Sequence, residues 1–511
     1  MTDKRFYITT PIYYPNGEPH LGHVYTTTCA DVAARWHRLL GEDVRFLTGT
    51  DEHGIKMVKT AYEQEVTPLE LATKNATVFR ETWREFGITN DDFIRTSSER
   101  HKLGCQEIVR RMLATGDIYL GHYEGWYDEG QEAFITETEA KAAEYKSAIS
   151  GRPLVRYKEP GYFFKLTKYV DQVINAIAQD QVEIRPQSRK NEILSKLKGW
   201  DQDLSISRAS LTWGIPMPND PSHVLYVWID ALSNYVTALD WPVGDGKLFE
   251  KYWPADAHLI GKEILWFHAF YWPAMLIALG EPLPRKLFAH GWWTSDGKKM
   301  SKTLGNFVDL EKLRTLSAIY GNDALRFYFL RAAPFGNDLD FSEPELKTAY
   351  LELGNVLGNL LNRTLNMIAK YRDGIVPDVS EAGPEDEAVK AAIAGLPTKL
   401  ATAYDDFVLQ DCVTLPLEVA RAANMYIDQT RPFSLAKDPT KAARLDTVLN
   451  LIANATRVAL VGLLPVLPEK AKSGLAQLNV ATDGQTFERL ISAFGSGHKL
   501  GEAAVLFPKI E

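Results

Sequence analysis

From Arg5 to about residue 115, short apolar runs alternate with longer stretches in which apolar residues return every three or four positions. RFYITT and DVRFLTG read as buried strands, and residues 22–40 as a helix closed by Gly41. TPLELATKNATVFRETWREFG reads as an amphipathic helix opened by Thr67-Pro68, DDFIRTS as a third strand, and residues 99–115 as a helix. Such alternation predicts a parallel α/β sheet. From about 116 to 225 the texture breaks into short β-like pieces such as YEGWYDEGQEAFIT, LVRYKEPGYFFKL and LTWGIPMP, an insertion of mixed character. Alternation returns in HVLYVWIDALSNYV, DAHLIGKEILWFHAFYWPAMLIALG and RKLFAHGWWTS, so the first sheet is expected to be completed there by a domain split in sequence. Beyond residue 345 the β pattern nearly vanishes, and apolar residues at three- and four-residue intervals predict a bundle of helices with one buried face each.

With 511 residues the chain has room for roughly three to four domains of ~150 residues. Its 45% hydrophobic and 24% charged content is that of a globular protein. Cys29, Cys105 and Cys412 lie far apart with no C-x-x-C pair, which argues against a disulfide framework or a cysteine zinc cage and fits a reducing cytosol. No basic-then-apolar leader opens the chain, and VALVGLLPVLP is interrupted by proline and too short to span a bilayer. A soluble cytoplasmic protein is expected. The formal net charge of −9 speaks against a nucleic-acid-binding surface spread over the whole molecule, but phosphates respond to local patches. One such patch runs from Arg285 to Arg331 and includes Lys298, Lys299, Lys302, Lys312, Arg314 and Arg326.

The chemistry begins at PNGEPHLGH, Pro15 to His23, between the first strand and its helix. A three-residue spacing puts His20 and His23 on one face of the first helical turn, where free backbone N–H groups and the positive end of the dipole make an anion site. Local packing or capping is the plainer alternative. A second stretch, SDGKKMSKTLGN from Ser295 to Asn306, sets Lys299 and Lys302 in a glycine-rich loop. Lysine, a compact mobile cation, suits the β- and γ-phosphates of a nucleotide, whereas a solvated basic turn is the alternative. In LTGTDEHG, Asp51 follows a hydrophobic strand at its C-terminal end, where open α/β sheets bind ligands; it could hold an ammonium or cap a turn. Trp228, Tyr235 and His268 lie just past strand-like runs, as a small apolar pocket requires, although plain core would also use them. G-x-x-x-x-G-K-[ST], a strand-borne G-x-G-x-x-G, H-E-x-x-H and G-x-S-x-G are all absent, so nucleotide handling rests on the histidine turn and the lysine loop.

PHLGH and KMSKT, in this order, resemble the two signatures of class I aminoacyl-tRNA synthetases. NGEPHLGH, GTDEHG, YVWIDALSNY and the helical final third resemble the methionyl branch of that class, over essentially the whole chain. The resemblance implies a Rossmann-like parallel-sheet catalytic domain in two halves, 1–115 and 226–289, split by a connective-peptide insertion at 116–225. A lysine-loop and stem-contact region would follow at 290–345, then an α-helical bundle binding the anticodon at 346–511. The insertion is smaller than the editing domain of the isoleucyl, valyl and leucyl enzymes. By the same resemblance, His20 and His23 stabilise the transition state around the ATP phosphates, and Lys299 and Lys302 hold the departing pyrophosphate. Asp51 binds the methionine ammonium. Ile12, Tyr14, Trp228, Ala231, Tyr235, Ile264 and His268 line the thioether pocket, and Gly261, Glu263, His290 and the backbone near Trp292 contact adenosine.

Asn359, Arg363 and Phe433 would meet the anticodon, with Phe433 standing where many members carry tryptophan after proline. ATP, Mg²⁺, L-methionine and methionine tRNA, initiator and elongator, are the implied ligands. The family's zinc-binding cysteine pairs have no counterpart here, since Asp128 and Gln131 stand where one would fall, so no structural zinc is expected. The chain ends at AAVLFPKIE with no appended module, from which a monomer without a membrane partner is expected. Three rivals stay open. A class I synthetase for another amino acid keeps both signatures with a changed pocket. A small-molecule nucleotidyltransferase has no use for a helical RNA-binding third. A non-enzymatic tRNA-binding paralogue would have lost His20, His23 or Lys302.

Overall fold

The protein is described from a computed structural model covering residues 4–129, 133–135, 137–147, 149–209, 211–295, 297–300, 306–332 and 334–510. Its chain forms two compact units. One comprises Arg5–Pro19 and Arg45–His290, and the other His20–Val44 and Gly291–Glu511 with the residues ahead of Arg5.

A six-stranded sheet organises the first unit, in the order Asp92–Arg95, Asp43–Thr50, Arg5–Tyr13, Ala257–Gly261, Lys286–His290, Glu183–Arg185. The pairings of known register are parallel, among them Ile8 with Ala257 and Gly261 with His290. From the first strand the chain order runs outward through Asp43–Thr50 to Asp92–Arg95 on one side and from Ala257–Gly261 to Lys286–His290 on the other, with Glu183–Arg185 added out of order at that edge. The gap between Arg5–Tyr13 and Ala257–Gly261 is therefore the topological switch point, where open sheets of this kind hold ligands. The predicted strands and helices of the first hundred residues are found, with Thr67 closing a capping box on Glu70. The last strand of the sheet departs from expectation. Glu183–Arg185 lies within the stretch read as an insertion, yet pairs parallel with Lys286–Phe288. Three residues are too few to carry a period of two, so local pattern held no trace of it. The sheet packs its helices around a core that includes Tyr7, Leu47, Ile94, Phe164, Ile260, Phe270 and Trp272, each essentially inaccessible.

In the second unit the helix Leu21–Leu39 stacks Trp36 on Tyr404 at 4.4 Å and places Asp31 against Arg326 at 2.7 Å. Gly41, at φ 81, follows its end as expected. Arg326, read from sequence as part of a basic patch, is buried in that ion pair and leaves the surface. Helices Glu343–Leu353, Asn359–Arg372, Asp386–Asp405, Leu409–Thr430 and Ala442–Leu463 form the bundle. One correction concerns the last of these, which is buried at every position from Thr447 to Leu463 instead of on one face. Its apolar residues fall on every face, and the polar ones between them, Thr447, Asn450, Asn454, Thr456 and Arg457, are buried with hydrogen-bond partners, as a helix at the centre of a bundle requires. Among the described residues no helix is long and apolar enough to cross a membrane.

Candidate active site

The C-terminal ends of the central strands of the first unit converge on a cavity of about 250 Å³. Ile12 and Tyr14 come from the end of Arg5–Tyr13, and Asp51 from the end of Asp43–Thr50, where its N–H donates to the Tyr13 carbonyl at 2.8 Å. Trp228, Ala231 and Tyr235 come from the helix Val227–Thr237, and Ile264 and His268 from the segment after Ala257–Gly261. All eight residues assigned to the amino acid by resemblance thus line one cavity, together with Pro11, Lys56, Val227 and Leu232, which sequence reasoning did not name. Trp228 lies just past the strand Asp220–Leu225, at the start of the helix that carries Tyr235 two turns further on.

Each neighbour of Asp51 is committed elsewhere. Glu52 turns inward onto Arg95, at 2.6 and 3.0 Å, and His53 donates to Asp230 at 2.6 Å. Asp230 takes His101 on its other oxygen at 2.7 Å, and the Thr237 hydroxyl meets the far nitrogen of His101 at 2.7 Å. Burial pushes the Asp230 carboxyl up, but His53 and His101 outweigh it and hold the group below the usual carboxylate range. His101, Cys105 and Asp230 offer three side chains of metal-ligating type. Their 2.7 Å contact is a hydrogen bond, shorter than the roughly 3.3 Å between ligands on a tetrahedral ion at ~2.0 Å bond lengths. The network therefore reads as a clamp between the Asp51 loop and the pocket helix. Asp230→Ala is expected to cost about 3–5 kcal/mol, because it strands buried donors. A urea denaturation midpoint within error of wild type would show that the clamp adds nothing.

At the floor of the cavity His268 Nδ1 donates to the Ile264 carbonyl at 2.9 Å, which assigns its Nε2 as acceptor for the Tyr235 hydroxyl at 2.7 Å. Burial pushes the imidazole down to about 4, so it stays neutral at physiological pH. Trp228 stacks on Phe267 at 3.7 Å beside it. Gly261, at the strand end, leaves room that a Cβ would deny to the Glu263 carboxylate, at 2.5 Å. His290 closes the adjacent strand and is buried.

The second unit carries the histidines. His20 is the cap of the helix Leu21–Leu39 and not part of its first turn, since its backbone is extended. Its Nδ1 accepts the Gly22 N–H at 3.1 Å, and His23 Nδ1 accepts the His20 N–H at 3.3 Å. Both pyridine-type nitrogens are thereby used at the backbone, and the neutral rings carry their protons on Nε2. The rings stack at 3.8 Å. Loss of hydration, then the neighbouring His20, holds His23 well below the usual imidazole range.

Residues flanking the lysine loop meet this turn. The His20 ring meets Phe307 edge-on at 5.2 Å, and the Leu21 N–H donates to the Val308 carbonyl at 3.1 Å. Asn306 donates to the Ser295 carbonyl at 3.1 Å and so ties the two ends of the loop. Lys298–Lys299, expected in a loop, form a two-residue strand on Thr294–Ser295 across Gly297 at φ 66. A glycine able to take positive φ is what permits so tight a reversal. Lys302 and Gln131 lie outside the described residues. Trp292 is 43% exposed and its N–H donates to Asp338 at 2.8 Å. Preceding it, Gly291 passes so close to Asn337 that a Cβ would stand 2.1 Å from that carbonyl.

In the bundle, Asn359 and Arg363 line a polar cavity of about 440 Å³ with Asn355, Asn362, Arg421 and Asn424. The segment Gly354–Gly358 bordering it is a wide π-type turn, which sequence spacing had read as ordinary helix. Asn359 is exposed, and Arg363 pairs with Asp428 at 2.8 Å. Phe433 is 51% exposed and lies outside the lining of the cavity.

Comparison with known proteins gives consistent matches. Residues 6–143 and 138–365 match the family of class I tRNA synthetases (M). A methionine–tRNA ligase of Caldanaerobacter subterraneus is 43% identical over 99% of this chain and 79% of its own, and that of Bacillus subtilis 42% over 100% and 78%. The structure of Mycobacterium tuberculosis methionyl-tRNA synthetase in complex with methionyl-adenylate superposes with a TM-score of 0.93 at 38% identity, covering 99% of this chain and 100% of that one.

Proposed function

We infer the reaction from one premise: the chain belongs to the methionine–tRNA ligases of the class I tRNA synthetase family. It activates methionine with ATP and transfers the aminoacyl group to methionine tRNA. The observation that carries this reading is the convergence of eight side chains from four separate segments on one cavity, among them the carboxylate of Asp51 and a neutral His268 hydrogen-bonded to Tyr235. Asp51 takes the substrate ammonium. The thioether enters among Ile12, Tyr14, Trp228, Ala231, Ile264 and the Tyr235–His268 pair, where a charged side chain would have to shed its hydration uncompensated.

The methionine carboxylate attacks the α-phosphorus of ATP in line, forming the acyl–phosphate bond as pyrophosphate leaves. No covalent enzyme intermediate is needed, so catalysis is positioning plus stabilisation of developing charge. His20 and His23 present Nε2–H donors to the phosphates, and Lys299 and Lys302 accompany the pyrophosphate. Gly261, Glu263, His290 and the backbone at Trp292 take adenosine. Mg²⁺ arrives with the nucleotide as part of the substrate. The terminal 2′-hydroxyl of initiator or elongator methionine tRNA then attacks the adenylate carbonyl, forming the ester as the acyl–phosphate bond breaks and AMP leaves. In this reading residues 1–115 and 226–289 are the catalytic halves, 116–225 the connective insertion, 290–345 the stem-contact region and 346–511 the anticodon domain of a cytoplasmic monomer. Amino-acid-dependent pyrophosphate exchange tests it: methionine should outpace every other amino acid, and faster exchange with another one would overturn the assignment.

The polar cavity of the bundle supports Asn359 and Arg363 as anticodon contacts, with Phe433 as a stacking face. Phe433→Ala is expected to cost about 1–3 kcal/mol in tRNA recognition. Asn359→Ala and Arg363→Ala should raise the KM for methionine tRNA while pyrophosphate exchange stays near wild type. Unchanged aminoacylation in all three would remove this face from the anticodon.

The insertion is proposed to fold without zinc, since residues 116–225 hold no cysteine and only His122 and His223. After chelation the purified protein should keep its fold with less than about a tenth of an equivalent of zinc, and unfolding on chelation would refute this.

A further inference from the structure

We propose that Lys56 binds the α-carboxylate of the amino acid, so that Asp51 and Lys56 together match the two charges of a zwitterion. The inference rests on reading the cavity as the methionine site. Both residues line that cavity. An α-amino acid carries its ammonium and carboxylate on one carbon, so a site that answers both must offer an anion and a cation within a few ångströms of the same point. Binding only the ammonium would leave the carboxylate, the nucleophile of the reaction, without a group to aim it.

Placement of Lys56 is determined by the cavity wall itself. The helix Ile55–Glu63 begins after Gly54, at φ 103, with no side chain capping its first turn. Tyr14 does that work from across the cavity: its hydroxyl accepts the Met57 N–H at 3.3 Å and donates to the His53 carbonyl at 2.9 Å. Lys56 therefore stands between two backbone groups gripped by a residue of the pocket, and its ammonium lies 5.8 Å from the centre of the Tyr14 ring. The next lysine of the helix, Lys59, is paired with Glu129. Among the described residues no carboxylate forms an ion pair with Lys56, so its cation is left for an anion that enters the cavity. A lysine stem is long and mobile enough to follow a carboxylate as it moves onto phosphorus, which a rigid guanidinium fork is not.

The test compares methionine with L-methioninol, an amino alcohol that keeps the ammonium and thioether but has no carboxylate. Lys56→Met is expected to raise the KM for methionine in pyrophosphate exchange roughly tenfold or more, the loss of a charge-assisted contact, with the inhibition constant of methioninol within about twofold of wild type. Lys56→Arg should restore part of the methionine KM. Equal weakening of both ligands, or no change in either, would overturn the proposal while leaving the pocket assignment intact. A wild-type protein without methionine-dependent exchange would overturn the pocket assignment instead.

Discussion

Replacing His20 with asparagine is expected to slow methionine-dependent pyrophosphate exchange by roughly a hundred- to a thousandfold in kcat, with the KM for methionine within about threefold of wild type. Asparagine is among the best helix caps, so the start of Leu21–Leu39 should survive the change. What disappears is the imidazole, whose Nδ1 accepts the Gly22 N–H and which therefore carries its proton on Nε2. A donor that counts mainly when charge develops on phosphate raises kcat more than it tightens ground-state binding. His23→Ala should behave alike, with an added loss of stability, since His23 is the other half of the capping box. Steady-state exchange at varied methionine and ATP decides the matter. A rise in KM with unchanged kcat would mean that the turn only binds substrate.

Lys302→Ala is expected to cut the same exchange roughly a hundredfold or more, and Lys298→Ala much less. Asn306 bonds to Ser295 and so ties the two flanks of the loop together, and the residues after it, Phe307 and Val308, meet the histidine turn. A cation that follows one departing group counts by its place in the sequence of the loop, so the two lysines should differ. Equal losses in the two variants would reduce the loop to a general basic patch.

The opening helix and the strand ends were legible because their signals are local. Proline and glycine in PNGEPHLGH mark the turn, Gly41 marks the helix end, and the hydrophobic run before Asp51 puts a carboxylate at the end of a strand. Pattern alone singled out His20, His23, Asp51, Trp228, Tyr235 and His268, and the other cavity residues entered by resemblance to a family. Tertiary structure decided what depends on partners distant in sequence. Asp230 is one more polar residue of an amphipathic helix until His101 and His53, 129 and 177 positions away, close on its two oxygens. Arg326 counts as surface charge until Asp31, 295 positions away, buries it. Glu183–Arg185 becomes a strand only because Lys286–Phe288 offers it unpaired backbone groups. Nothing in the local pattern separates Lys56 from Lys59, and only the grip of Tyr14 on the start of their helix turns one of them into the cavity. Periodicity and turn chemistry act over a few residues and can be read along the chain, whereas the partner that gives a buried charge its meaning is selected by packing.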